Sequence, residues 1–257
     1  MNRNRGIFIF PNNEAAAHFT VKRWVEISSQ SITDKGYFSV ALSGGSTPVD
    51  FYKTLSTCKQ PLPWDKTHIF LADERFVSQY DKESNYRLIR ETLLNYILIP
   101  EENVHPIQTN EDTLDKAARK YEEVIRSFFH ILNDKIPGFD LIMLGMGEDG
   151  HTASLFPGTS SIKEDRRLVI PVIADKSPSE RISITFPVLN NAKHIIFLIS
   201  GEDKARAVKD MLENEASNLP AALVKPENAS LMVVLDKGAA SLLSDSDQSR
   251  YLFRFQS

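Results

Sequence analysis

Short apolar runs alternate with helix-patterned segments along the whole chain, and this alternation restricts the fold more than any other feature. Ile7 to Phe10, Tyr37 to Leu42, His68 to Ala72, Leu141 to Leu144, His194 to Ile199 and Leu231 to Leu235 each read as a buried strand. Two shorter strands with β-branched residues are expected at Leu168 to Val172 and Ile182 to Thr185. Strands that are apolar throughout, rather than apolar on alternate residues, are those covered on both faces. Segments of helical period lie between them, so the pattern predicts an α/β protein with a mainly parallel, Rossmann-like sheet and helices on both faces.

The helices carry their own end signals. Asn12 or Asn13 caps a first helix with Ala16, Phe19, Trp24 and Ile27 on one face. Thr47 is placed to cap a second, with Pro48 at its first position and Val49 to Leu55 following. A strong helix is expected from about Asn85 to Leu98, where Leu88, Thr92 or Leu93, and Tyr96 repeat at helical spacing, and the longest from Thr113 to Leu132. Two more are expected from about Lys204 to Glu213 and from Gly238 to Leu243, before a tail that packs back through Tyr251 and Phe253. No Pro/Gly/Ser-rich linker, repeat or low-complexity block divides the 257 residues, so one domain over 1–257 is expected.

Composition excludes several function classes. With 42% apolar and 25% charged residues the chain is ordinary for a globular protein. A formal charge of −4 argues against non-specific nucleic-acid binding, so an anionic ligand needs a local basic cluster. The single cysteine, Cys58, excludes an internal disulfide. The first residues contain only four consecutive apolar positions, Ile7 to Phe10, too few for a signal peptide or membrane span, and a cytoplasmic protein is expected. The histidines lack metal-ligand spacing, and neither metal nor cofactor is called for.

Four strand ends carry polar residues, and in a parallel sheet such ends gather on one edge. Ser43, Gly44, Gly45, Ser46 and Thr47 lead into a helix, a shape suited either to a phosphate or to a plain strand–turn–helix connection. Asp73-Glu74-Arg75 reads as a solvated turn or a ligand-facing loop. Ser200 to Lys204 sets a lysine at a helix start, either facing solvent or joined by an anion that offsets the unfavourable dipole. The fourth end holds Gly145, Gly147 and Gly150 in G-x-G-x-x-G spacing. A dinucleotide is rejected there, because Glu148 and Asp149 would repel a pyrophosphate and Pro157 breaks the helix such a loop requires. Acid–base chemistry fits better, with the Asp149 carboxylate two residues from the His151 imidazole, the alternative for His151 being a hydrogen-bonded structural residue.

Taken together, Leu42 to Pro48 (LSGGSTP), Ala72 to Val77 (ADERFV), Ser84 to Tyr86 (SNY), Leu144 to Gly158 (LGMGEDGHTASLFPG), Arg181 to Thr185 (RISIT) and Ser200 to Lys204 (SGEDK) resemble the 6-phosphogluconolactonase family. That family lies within the glucosamine-6-phosphate isomerase/deaminase superfamily, and the resemblance extends over nearly the whole chain. It implies the superfamily's isomerase-like fold and hydrolysis of 6-phospho-D-glucono-1,5-lactone to 6-phospho-D-gluconate, a step of the oxidative pentose phosphate pathway. It also implies that His151 is the catalytic base with Asp149 beside it. Ser43 to Thr47, Arg75 and Lys204 would hold the phosphate, with Asp73 and Arg181 near the site. The deaminases carry an acidic residue a few positions after the motif histidine, where this chain has Phe156, which favours the lactonase branch. The expected partner is a small sugar-phosphate lactone, with no nucleic acid and no membrane, and a monomer is compatible with the sequence.

Overall fold

The computed structural model describes residues 5–132, 134–226 and 229–244. In chain order the elements are β1 (Arg5–Phe10), α1 (Asn13–Lys35), β2 (Phe38–Leu42), α2 (Pro48–Ser56), β3 (Thr67–Leu71), β4 (Asp73–Arg75), α3 (Asn85–Thr92), β5 (Val104–His105), α4 (Leu114–Phe129) and β6 (Leu141–Leu144). There follow β7 (Val169–Ile173), β8 (Glu180–Ile184), α5 (Phe186–Asn190), β9 (His194–Ile199), α6 (Ala205–Glu213), α7 (Pro220–Leu223) and β10 (Ser230–Asp236). Seven strands form one sheet in the order β1-β10-β9-β6-β2-β3-β5, with every pairing parallel. The fold is therefore the mainly parallel α/β architecture that the alternation predicts.

Both faces of the sheet are covered. Phe38 stands opposite Thr67 and Phe70 opposite Ala41, so the pleat sends the two phenylalanines to opposite faces. On one face Trp24 of α1 packs edge-on against Phe38 at 5.1 Å and against Phe51 of α2 at 5.9 Å. On the other, Phe70 meets Phe128 of α4 at 5.0 Å. Trp24 is fully buried, and truncating such a residue to Ala typically costs about 3–5 kcal/mol. The α1 helix starts where Asn12 accepts a hydrogen bond from the Ala15 N–H at 2.9 Å and stops at Gly36, whose φ of 87° ends it in the left-handed conformation. No helix among the described residues is long and apolar enough to cross a membrane.

The remaining strands, β4-β8-β7, make a second, antiparallel sheet. Ala72 joins the two sheets: its N–H donates to Leu42 O of the large sheet at 2.8 Å, and its carbonyl accepts from Ile184 N of the small one at 2.9 Å. Asp73-Glu74-Arg75, read from sequence as a turn or loop, is thus a strand. Pairing with β8 satisfies its backbone although its side chains carry no strand signal.

Other boundaries also differ from expectation. The helix expected from Asn85 to Leu98 ends at Thr92, because Leu93 leaves helical geometry at φ −132° to stay buried. Tyr96 and Leu98 then lie 67% and 94% exposed. The longest helix is α1 with 23 residues, whereas α4 has 16 and stops at His130, which turns left-handed. Residues 237–242 form turns, not a helix, closed by Ala240 N to Asp236 O and Ser241 N to Gly238 O. The packing expected of Tyr251 and Phe253 lies outside the described residues.

Candidate active site

The sheet changes direction between β2 and β6. From β2 the chain proceeds to β3 on one side, and from β6 it proceeds towards β9 on the other, so the loops leaving these two strands diverge and open a crevice. A cleft of about 190 Å³ occupies this place, walled by the β2 loop (Ser43, Gly44, Gly45, Ser46 and Thr47), the β6 loop including His151, and Lys204 after β9. The small sheet closes another side with Asp73, Arg75 and Arg181. Asp149 stands behind His151 and is absent from the cleft wall.

Asp149 and His151 are held by the shape of their own loop. The Gly147 N–H donates to His151 O and the Gly150 N–H to Gly147 O, both at 2.9 Å, forming a compact turn. A Cβ on Gly147 would stand 2.1 Å from His151 Nδ1, so only glycine lets the ring lie against this turn. Asp149 Oδ1 lies 2.5 Å from His151 Nδ1 and also accepts the His151 N–H at 3.2 Å. Lys176 Nζ lies 3.0 Å from the other oxygen, Oδ2. Burial disfavours the charge on Asp149, but the hydrogen bond and charge of His151, with Lys176, outweigh it and hold the carboxyl well below its usual range. An ionised carboxylate only accepts, so Nδ1 carries the proton and Nε2 of the neutral ring is the basic nitrogen. The imidazole packs on Phe156 with centroids 4.5 Å apart, and the Arg181 guanidinium lies 5.8 Å from the same ring.

Arg75 and Arg181 are cross-strand partners on β4 and β8. Their hydrogen bonds go to uncharged oxygens: Arg75 Nη1 to Glu83 O at 3.1 Å and to Asn85 Oδ1, and Arg181 Nε to Pro178 O at 2.9 Å. Arg75 Nε is buried without a partner among the described residues. Burial, then the Arg75 charge, pushes the Arg181 guanidinium down from its ordinary value. Two neighbouring cations with neutral partners form a site of positive potential. Lys204 adds a third cation, 2.9 Å from Asp203 and 3.9 Å from Glu148.

The β2 loop meets this wall through Asn85, a cleft residue to which sequence reasoning assigned no role although it lies in the SNY segment. A Cβ on Gly44 would stand 1.8 Å from Asn85 Oδ1. The Asn85 amide donates to Asp73 O at 2.9 Å and Asp73 Oδ1 at 3.2 Å, while Ser154 Oγ donates to Asp73 Oδ2 at 2.7 Å. Beneath it, the buried Glu74 carboxylate accepts from the N–H groups of Arg75, Asn85 and Tyr86 at 2.7–2.8 Å and from Ser84 Oγ at 3.0 Å. It thereby caps α3 and fixes Asn85. Thr47, expected to cap α2, makes no side-chain cap bond: its φ of −60° and ψ of −46° are already helical. The Ser43 hydroxyl is turned inward to Met143 O at 2.9 Å and its carbonyl accepts from the Tyr52 hydroxyl at 2.5 Å, so both of its oxygens are engaged within the protein.

Comparison with known proteins agrees with the fold and shows the family. A family model described as glucosamine-6-phosphate isomerases/6-phosphogluconolactonase matches residues 11–233. The chain is 37% identical over 217 residues to a 6-phosphogluconolactonase of Synechocystis, covering 84% of this chain and 88% of that one. It is 38% identical over 218 residues to a 6-phosphogluconolactonase of Rattus norvegicus, covering 82% of each. Its fold is similar to the solved 6-phosphogluconolactonase of Thermotoga maritima, with a TM-score of 0.79 at 32% identity over 91% of this chain and all of that one. The enzyme of that name from Trypanosoma brucei superposes with a TM-score of 0.81 at 28% identity, over 93% of this chain and 99% of that one.

Proposed function

The chain belongs to the glucosamine-6-phosphate isomerase/6-phosphogluconolactonase family, and from that membership we propose that it hydrolyses 6-phospho-D-glucono-1,5-lactone to 6-phospho-D-gluconate with His151 as general base. The observation that carries this reading is His151 in the cleft wall with Asp149 paired behind it, and with Phe156 against the imidazole where the deaminases have an acidic residue.

Nε2 of His151 takes a proton from water as the water oxygen attacks C1 of the lactone. The carbonyl becomes a tetrahedral oxyanion, for which Arg181 is the favoured donor: two N–H groups of the glycine loop are engaged within its turn, and the guanidinium shares the Phe156 ring with the base. As the intermediate collapses, the bond from C1 to the ring oxygen breaks and the imidazolium returns its proton to that oxygen. The new carboxylic acid ionises into solvent. Asp149 holds the tautomer and stabilises the imidazolium without itself taking the proton. The phosphate is met by the backbone of Ser43 to Thr47 with Lys204 and Arg75, and Asp73 keeps Asn85 in place at their junction.

The assay uses freshly made lactone at constant pH with a no-enzyme control, since the substrate also opens spontaneously. His151→Ala is expected to fold normally and to lose about two to four orders of magnitude in rate. Near-normal turnover in that variant would sink the assignment, and ammonia release from glucosamine 6-phosphate would move the chain to the deaminase branch.

A further inference from the structure

The connection between β7 and β8 reaches into the site from outside the cleft. Ala174 N donates to Ser179 O at 2.8 Å and closes residues 174–179 into a tight turn. Two groups of this turn touch the machinery. The Pro178 carbonyl accepts from Arg181 Nε, and Lys176 Nζ reaches Oδ2 of Asp149, whose Oδ1 faces Nδ1 of His151. The carboxylate is thus shared, one oxygen to the base and one to the lysine. Lys176 does not line the cleft.

We propose that Lys176 is a positioning residue for the hydrolysis, clamping one oxygen of Asp149 so that the other stays aimed at His151, and offsetting part of the negative charge that His151 feels. This rests on His151 acting as the base. Without the ammonium, the full charge of Asp149 acts on the imidazole and favours its protonated form, which cannot accept a proton from water. The acid limb of the rate profile then moves to higher pH. The other charges around His151 are Arg181 and Arg75 of the small sheet, Asp73 beside them, and Lys204 with Glu148 across the cleft. All remain when Lys176 is changed, so the shift reads Lys176 alone.

The test compares Lys176→Met and Lys176→Arg with the unaltered enzyme in kcat/KM against pH, together with an NMR titration of the His151 imidazole, assigned by its loss in His151→Ala. Lys176→Met is expected to raise both the acid limb and the imidazole midpoint by about half a pH unit, the size of a half-exposed ion pair, and Lys176→Arg to restore them. A limb and midpoint unmoved or lowered in Lys176→Met, or a shift that Lys176→Arg fails to restore, overturns the inference. Activity in His151→Ala overturns the base assignment instead, so the two failures are distinguishable.

Discussion

At the residue scale, the site depends on atoms that are missing as much as on those present. Gly147 has no Cβ where one would occupy the space of His151 Nδ1, and Gly44 has none where one would meet Asn85. Gly147→Ala should therefore leave the fold nearly intact but displace the imidazole, lowering kcat/KM by about 100-fold, the effect of roughly an ångström of misplacement. Steady-state kinetics beside a thermal melt separates that outcome from simple unfolding. The Asp149–His151 pair was legible in the sequence because its geometry is local: two residues apart, on a loop whose glycines announce a turn. Asn85 was not, because its meaning lies in contacts to Gly44 and Asp73, and no local pattern shows which loop an asparagine will face.

At the element scale, the parallel strands were readable because each is a continuous apolar run, and Leu141–Leu144 and His194–Ile199 fall where the sequence placed them. β4 was not readable. Three charged residues have poor strand propensity, and they are held extended by a partner strand more than 100 residues away. The small sheet in turn relies on Glu74. Glu74→Ala would leave the N–H groups of Arg75, Asn85 and Tyr86 without their acceptor, so the first turn of α3 keeps only the Ser84 cap and the backbone of Asn85 loses its anchor. A loss of about 2–4 kcal/mol is expected in urea denaturation, with a fall in activity that Glu74→Gln only partly reverses.

At the scale of the whole molecule, one buried cluster contains side chains of both sheets, among them Val40, Ile142, Val169 and Ile184. We infer that the described residues unfold in a single transition. Its midpoint should depend on pH through the far edge of the sheet. There His105 stacks on Phe70 at 4.2 Å and its Nε2 lies 3.4 Å from His68 Nδ1. Burial, then the neighbouring His68, pushes His105 down to about 4, while burial and Lys35 push His68 down. Both histidines gain protons more readily when unfolded, so the stability they support is present at neutral pH and is lost as pH falls from about 6.5 towards about 4. Between pH 7.5 and pH 5, denaturant midpoints should show a loss that His105→Phe reduces by about 1 kcal/mol, a figure already lowered for partial solvent access. An equal loss in that variant would place the acid sensitivity elsewhere.

Ala72, which donates to one sheet and accepts from the other, has a consequence for which changes of length the chain tolerates. Beyond it the strand alternates, with Asp73 and Arg75 facing the cleft and Glu74 turned to the start of α3. Because the period is two, deleting or inserting one residue between Ala72 and Arg75 would exchange those faces. The capping carboxylate would then point at the ligand, and the guanidinium would be driven into the protein. Substitutions in this segment act one contact at a time, whereas a single-codon insertion or deletion reverses the whole wall. Variation in length among functional descendants of this sequence should therefore gather in the exposed connections, and the three residues after Ala72 should keep their number even where their identities drift.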